Sequence, residues 1–424
     1  MFHQITVCSV KGFHGCFFIG CKYSNTNSNC KLEIAKYYFF STKRRTREMV
    51  CTLKHLSLCP EMEALYLFNP ENDMALACGD PYYMAPASAR RMAAELSMLP
   101  AWYAEEGGTV WLDSAQRMKT MERQSFLPLS VNWTSEFLPI YNKVIPWGWN
   151  PSLVRRLQEA GFPDTAYPSV ERMKRIRQIS GRQTAVKVLR RLCRHIGGNI
   201  PILGEAFVLS STEKVKAFVL SHSRALLKAP WSGSGRGIQY VSGSFTIPLE
   251  GWVRHILTTQ HEVIGEPFYD KLLDFAMEFF ADEWGQVHFI GYSLFETDKR
   301  GVYKENLLAA DRVIEARIST YVSAEILHQV GRMLQVELAE VIKGSYEGYL
   351  GVDMMICRTQ NGGYAIHPCV EINLRMNMGV VARLIYDNYV CDGVQGRYVI
   401  EYYAKPGEAW HSHLALQEKY PLYL

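Results

Sequence analysis

Val370-Glu371-Ile372-Asn373-Leu374-Arg375 sets a carboxylate, an amide and a guanidinium at alternate positions. In an extended strand alternate residues share a face. Glu371, Asn373 and Arg375 then line one side, and Val370, Ile372 and Leu374 line the other, where a core would sit. A carboxylate and an amide oxygen two residues apart form a hard-oxygen pair suited to Mg²⁺, which takes one or two carboxylates together with phosphate oxygens. Upstream, Leu350-Gly351-Val352-Asp353-Met354-Met355-Ile356 embeds one acid in an apolar run. An unpaired buried carboxylate is costly, so Asp353 calls for a cation, a hydrogen-bonded site or a raised pKa. Asn361-Gly362-Gly363 between the two runs is a turn signal, and the pair reads as a hairpin bringing Asp353 to Glu371 and Asn373. A structural Glu–Arg pair on a solvated face is the alternative reading.

A second group lies earlier in the chain. Ala225-Leu226-Leu227-Lys228 is a short apolar run ending in a cation, and Gln239-Tyr240-Val241 is again strand-like. Between them Ser232-Gly233-Ser234-Gly235-Arg236-Gly237 reads as a hairpin loop. Without Cβ atoms, Gly233, Gly235 and Gly237 can take φ > 0 and bring backbone N–H groups close to an anion. The pattern is not a Walker A loop, which needs Gly-Lys-Ser/Thr opening a helix. Nor is it the dinucleotide fingerprint, because Ile238 stands where its third glycine should be. Taken alone, the segment also fits an ordinary Gly/Ser turn.

In order and spacing, the strand lysine, the glycine-rich hairpin, an acidic linker, a strand aspartate and Glu-x-Asn-x-Arg resemble the ATP-grasp superfamily, which includes the ATP-binding domains of glutathione synthetase and carbamoyl-phosphate synthase. The match runs from about Arg172 to Tyr398. Leu374 departs from the proline that many members carry there, which leaves the subfamily open. The resemblance implies ATP clamped between two α+β lobes, with Mg²⁺ or Mn²⁺ on its phosphates. It implies that Asp353, Glu371 and Asn373 hold the metal, and that Lys228 and Arg375 act on the phosphoryl group. It makes Arg182, among the basic neighbours Arg175, Arg177, Lys187 and Arg190, the residue ahead of the loop that touches a phosphate. The loop residues Ser232, Gly233, Ser234, Gly235, Arg236 and Gly237 would cover the phosphates. His261 to Phe268 would be the hinge along the adenine edge, with Glu266 as its acid and Phe268 at its end. Asp274 would meet the ribose, with Lys271 exposed between it and the hinge. Asn306 lies where substrate or phosphate contacts often fall. The family's usual reaction makes an acyl phosphate from a carboxylate and ATP, which an amine or thiol then attacks. That yields an ATP-dependent carboxylate–amine or carboxylate–thiol ligase. A kinase of the same fold and a nucleotide-binding protein without turnover are the rival readings.

The elements that must position these residues follow from periodicity. Ala64 to Phe68 and Thr109 to Leu112 read as strands, and Ser88 to Leu99 has helical spacing. Alternating strand and helix predicts a small Rossmann-like α/β lobe over residues 62–170. Asn69, Glu71, Asn72 and Asp73 follow its first strand, where ligands often sit in open α/β sheets, although these residue types also suit a plain turn. The fold class is α/β, built of α+β lobes. The ATP-grasp part would span residues 171–424, with a glycine-loop lobe at about 200–265 and a metal-binding lobe at about 266–400. Val170 to His195 reads as one basic helical segment, Ala324 to Val341 as a core-packing helix, and Met376-Asn377-Met378-Gly379 as the start of the last helix. The tail beyond Arg397 carries no signal.

At 424 residues the chain has room for two or three domains. It is 48% apolar and 21% charged, which describes an ordinary globular protein. A net charge of +4 gives no strong case for nucleic acid. No apolar run reaches the length of a membrane span. The expected partners are a small-molecule carboxylate and an amine or thiol, with no nucleic acid and no membrane, and with a homodimer left open. Residues 1–61 read as an appendage outside the fold, with Met49 and Met62 both usable as starts. That segment holds Cys8, Cys16, Cys21, Cys30, Cys51 and Cys59 without a CxxC pair, and the basic run Lys43-Arg44-Arg45-Thr46-Arg47. Cys78, Cys193, Cys357, Cys369 and Cys391 are scattered and read as reduced thiols of a cytoplasmic protein. If Lys228 meets phosphate and not base, Lys228→Ala weakens ATP about ten- to a hundredfold and leaves adenosine unchanged, as titration of the two ligands would show.

Overall fold

The computed structural model describes residues 2–9, 16–20, 64–113, 130–195, 200–232, 237–297, 302–390 and 393–403, together with Glu408, His411, Ser412 and Ala415. The chain begins with an antiparallel pair, β1 (Phe2–Ser9) and β2 (Cys16–Gly20). The first lobe follows. Its strands β3 (Ala64–Leu67), β4 (Thr109–Trp111), β5 (Asn132–Thr134) and β6 (Lys143–Pro146) pair in parallel in the order β5-β4-β3-β6. Parallel neighbours need crossovers, and α1 (Asn72–Cys78) and α2 (Ala87–Glu95) lie between β3 and β4. The helical spacing expected over residues 88–99 breaks after Glu95, and Pro100 opens a separate 3₁₀ turn, Leu99–Trp102. Two further helices are started by side chains. The Asn150 carboxamide accepts from Leu153 N at the start of α3 (Pro151–Glu159), and Ser169 Oγ accepts from Arg172 N at the start of α4 (Val170–Ile179). The segment expected to be one basic helix stops at Ser180-Gly181 and restarts as α5 (Arg182–His195).

The second lobe is a four-stranded antiparallel sheet, β7-β10-β8-β9. Its elements in chain order are β7 (Phe207–Leu209), α6 (Thr212–Ser221), β8 (Ala225–Lys228), β9 (Ile238–Val241), α7 (Ile247–Gln260) and β10 (Val263–Pro267). Lys228 pairs with Ile238, so the glycine segment does connect two antiparallel strands. Its tip, Gly233, Ser234, Gly235 and Arg236, lies outside the described residues, as do Lys43 to Arg47 and Cys391. Leu209, Val215, Phe218, Leu227, Val253 and Val263 form this lobe's own core.

The third lobe carries the long strands β11 (Asp270–Ala281), β12 (Val287–Thr297), β13 (Tyr303–Leu308), β14 (Gly348–Arg358), β15 (Tyr364–Asn373) and β16 (Gly396–Tyr403). Three helices accompany them, α8 (Asp311–Ile318), α9 (Ala324–Ile342) and α10 (Met378–Tyr389). The sheet runs β15-β14-β11-β12-β13-β16-β1-β2. Its main apolar layer, which includes Phe275, Met277, Val330, Leu334, Leu350 and Val352, also takes in Val188, Leu189 and Leu192 of α5. No helix among the described residues is long and apolar enough to cross a membrane.

Two expectations are corrected here. The tail beyond Arg397 forms most of β16, an inner strand of the large sheet. The first residues of the segment read as an appendage pair with it in antiparallel register, from Phe2↔Tyr403 to Ser9↔Gly396. Alternation in Gln4-Ile5-Thr6-Val7-Cys8 is short, and its partner lies almost four hundred residues away, so pairing could not be read locally. A chain beginning at Met62 is expected to expose the edge of β16. Hydrogen exchange at Arg397 to Tyr403 accelerates in that chain, while protection at Phe275 to Phe279 is unchanged.

Candidate active site

The β11–β14–β15 register assembles the site. Asp353 stands opposite Glu371, and Gly351 stands opposite Asn373. On the other side Ala276 pairs with Asp353 and Glu278 with Gly351. Directly paired residues share a face, so Glu278, Asp353, Glu371 and Asn373 occupy one patch. Within it Asn373 Nδ2 donates to Asp353 Oδ2 over 3.1 Å. Asn377, the N-cap of α10, donates through Nδ2 to Glu278 Oε2 at 2.9 Å. Gly351 is glycine for a local reason, because a Cβ there would lie 2.3 Å from Glu278 Oε2.

The acids are electrostatically loaded. Burial, then the neighbouring Glu371 carboxylate, pushes Asp353 up to about 7. Burial also pushes Glu278 up to about 8, against the Asn377 hydrogen bond and with help from Asp353. Among the described residues no three His, Cys, Asp or Glu side chains form a metal cluster. The donor set is instead two carboxylates and an amide. Mg²⁺ accepts that set when phosphate oxygens complete the shell, and a divalent cation would relieve the Asp353–Glu371 repulsion.

Arg182 ties this patch to the glycine-loop lobe. It opens α5, is 5% exposed, and donates to Ala229 O at 2.6 Å, Ser232 Oγ at 2.6 Å, Ser232 O at 3.1 Å and Glu371 Oε1 at 2.8 Å. Its Nε has no partner among the described residues. Of its basic neighbours, Arg175 and Arg177 are taken up by backbone carbonyls, at Val341 and Leu76. Gly237 closes the loop at φ 78°, where a Cβ would meet Ser232 at 2.9 Å.

Lys228 is 4% exposed, and its Nζ lies 2.5 Å from Glu266 Oε2. The strand lysine and the hinge acid, derived as separate contacts, are thus one buried ion pair. Register explains it, since Lys228 pairs with Ile264 and Glu266 with Leu226 across β8 and β10. The hinge is mostly strand, ending at Pro267. Phe268 is 36% exposed and lies under the Arg224 guanidinium, 3.8 Å from ring centroid to Cζ. Asp274 accepts from Thr297 Oγ1 at 3.0 Å and is ion-paired with Lys271, which is therefore not simply exposed. Asn306 is buried, donating to Ser293 Oγ at 2.6 Å and accepting from Tyr303.

Arg375 departs from its strand-face expectation. β15 ends at Asn373, and the guanidinium turns to the first lobe. There it grips Asp73 bidentately, Nε to Oδ1 at 2.8 Å and NH2 to Oδ2 at 2.7 Å, with NH1 on Met376 O at 3.2 Å. Asp73 is held below the usual carboxylate range, the Arg375 charge overcoming burial. The same pair raises Arg375 further despite burial. Asn69 exchanges hydrogen bonds with Gly148, and Asn150 donates to Asn72, so most of the polar turn is structural while Asp73 reaches the site. A narrow cleft runs between them, lined by Asn72, Asp73, Ser232, Glu371, Asn373 and Arg375. Glu278 and Asn377 were missed from sequence. Glu278 lies in an apolar run, Phe275-Ala276-Met277-Glu278-Phe279, the same signal that marked Asp353.

No family model matches the chain. No curated protein matches it either. Among solved structures, a biotin carboxylase from Campylobacter jejuni in a β-γ-ATP complex is 15% identical with a TM-score of 0.40, covering 77% of this chain and 70% of that one. An N5-carboxyaminoimidazole synthetase from Staphylococcus aureus complexed with ADP is 9% identical with a TM-score of 0.39, covering 84% and 96%. An L-amino acid ligase from Bacillus licheniformis is 12% identical with a TM-score of 0.37, covering 76% and 68%. Likeness at this level leaves the function to be argued from the residues.

Raised carboxylate pKa values fix a sign. The native state keeps protons on Asp353 and Glu278 that the unfolded chain, with ordinary values of 3.8 and 4.5, has already released. Stability from these groups is full below those values and is lost as pH rises through about 7–8. With chelator present, the melting temperature is expected to fall between pH 5 and pH 8. Asp353→Asn should flatten that fall by several degrees, and an unchanged slope in that variant would remove Asp353 from the account.

Proposed function

We propose that the chain is an ATP-grasp ligase: an ATP-dependent enzyme that activates a carboxylate as an acyl phosphate for attack by an amine or thiol, releasing ADP and phosphate. One observation carries the reading. Asp353 faces Glu371 and Gly351 faces Asn373 on a single sheet face, and Arg182 joins that face to Ser232 at the base of the glycine loop.

The residues divide the work as follows. Arg182 fixes the loop base against β15 and keeps one N–H, at Nε, without a partner among the described residues. Lys228 keeps one donor on Glu266 and has two more for phosphate oxygens. Gly233, Ser234, Gly235, Arg236 and Gly237 cover the phosphates and exclude water. Asp353, Glu371 and Asn373 would hold Mg²⁺, which supplies charge neutralisation on the phosphates. Arg375 has five N–H groups. Three are used by Asp73 and Met376, and the other two, without a hydrogen-bond partner among the described residues, can meet charge on the transferring group. Asp73 aims that guanidinium. Glu266 and Phe268 border the base and Asp274 the ribose. The thiols described are free cysteines, which fits a reducing, cytoplasmic setting.

Phosphoryl transfer asks a protein for positioning and charge more than for covalent chemistry, and these residues supply both. The products are expected to be ADP and phosphate. With a pool of candidate carboxylates and added hydroxylamine, a hydroxamate should accumulate as ADP is released. AMP and pyrophosphate would refute the mechanism. ADP with a stable phosphorylated alcohol and no hydroxamate would transfer the site to kinase chemistry.

A further inference from the structure

His367 is a buried polar side chain that the mechanism above leaves unused. It is 1% exposed, and among the described residues neither ring nitrogen has a hydrogen-bond partner. A native fold rarely leaves such a group unsatisfied without cause. Register locates the cause. His367 stands opposite Met355, and Met355 stands opposite Asp274. Paired residues share a face, so this row lies on the same face as Glu371, Asp353 and Ala276, the next row along. On β14 the two rows are two residues, or roughly 7 Å, apart, while on β15 a register shift between them sets His367 and Glu371 four residues apart. Across the sheet, Asp274 and His367 are two strand spacings, or roughly 9.5 Å, apart. A nucleoside lying across this row with its ribose at Asp274 and its phosphates toward Asp353 sets its base over Met355, facing His367.

The surroundings fit that placement. Gly204 packs so close that a Cβ would sit 2.8 Å from His367 Nε2. Tyr269, just past the hinge, meets the imidazole edge-on at 5.6 Å between centroids. Its hydroxyl accepts from Glu205 N at 2.8 Å. Burial first, then the charge of Lys228, lowers the imidazole to about 3, so the ring is neutral at physiological pH. A neutral imidazole carries one donor and one acceptor. A purine edge bearing an exocyclic amine beside a ring nitrogen can answer either.

We infer that His367 reads the nucleobase, as a specificity-determining residue for the nucleotide site. The inference rests on the nucleotide reading above, so its test separates base from phosphate. Full-length protein is titrated calorimetrically with Mg²⁺–ADP and with Mg²⁺–tripolyphosphate, which has no base. His367→Leu should lower ADP affinity about tenfold or more and leave tripolyphosphate unchanged. His367→Gln, which keeps a donor and an acceptor, should stay within about threefold of the wild type for both. In the wild type, ¹⁵N-histidine spectra should show the His367 ring nitrogens shifting with ADP and not with tripolyphosphate, a readout that survives if the leucine variant fails to fold. Unchanged ADP affinity in His367→Leu, an equal loss for both ligands, or ring nitrogens silent to ADP overturns the assignment. A wild-type protein that binds tripolyphosphate and ADP equally overturns base reading while leaving the phosphate site. One that binds neither overturns the nucleotide reading and this inference with it.

Discussion

A guanidinium buried where three elements meet holds the candidate site together. Arg182 begins α5, takes both oxygens of Ser232 and the carbonyl of Ala229, and reaches Glu371. Burying a charge is expensive unless it is paired and fully hydrogen-bonded. Here the compensation comes from two separate parts of the chain, the base of the glycine loop and β15. Removing one member of such a pair typically costs about 3–5 kcal/mol, because the other charge is left uncompensated. The demand for a partner therefore ties the base of the glycine loop to β15.

Around that hub the acids are arranged against their own preference. Asp353, Glu278 and Glu371 share a sheet face, and burial pushes two of them toward neutral pH, Glu371 adding to the rise of Asp353 and Asp353 to that of Glu278. Hydrophobic layers on the far side of the sheet, such as Phe275, Met277, Leu350 and Val352, anchor the strands so that the polar face cannot relax. A patch of this kind is poorly stable alone, and a cation beside it would relieve the repulsion.

Much of this was legible in residue order. Period-two alternation and the Asn361-Gly362-Gly363 turn gave the β14–β15 hairpin, because both signals are local. Lys228, Glu266 and Arg182 were identified one at a time, but their contacts were not, since which carboxylate meets which cation depends on register between distant strands. Alternation sets Arg375 beside Glu371 and Asn373, and it does line their cleft, but it lies past the last paired residue, so its clasp on Asp73 left no local signal. The strand β16 and its pairing with β1 left no trace for the same reason, as their hydrogen bonds join opposite ends of the chain. His367 gave no signal at all, since a lone histidine in a strand looks the same whether its ring is satisfied or not.

The clasp of Arg375 on Asp73 joins residues 302 positions apart. At roughly 5–20 residues per second, synthesis delivers the guanidinium about 15–60 s after the carboxylate it grips. During that interval Asp73 lacks the cation it pairs with in the finished fold. Completion of the clasp reports that translation has passed the whole β14–β15 hairpin. A chain ending before Arg375 would thus carry Asp73 without the cation that holds its charge.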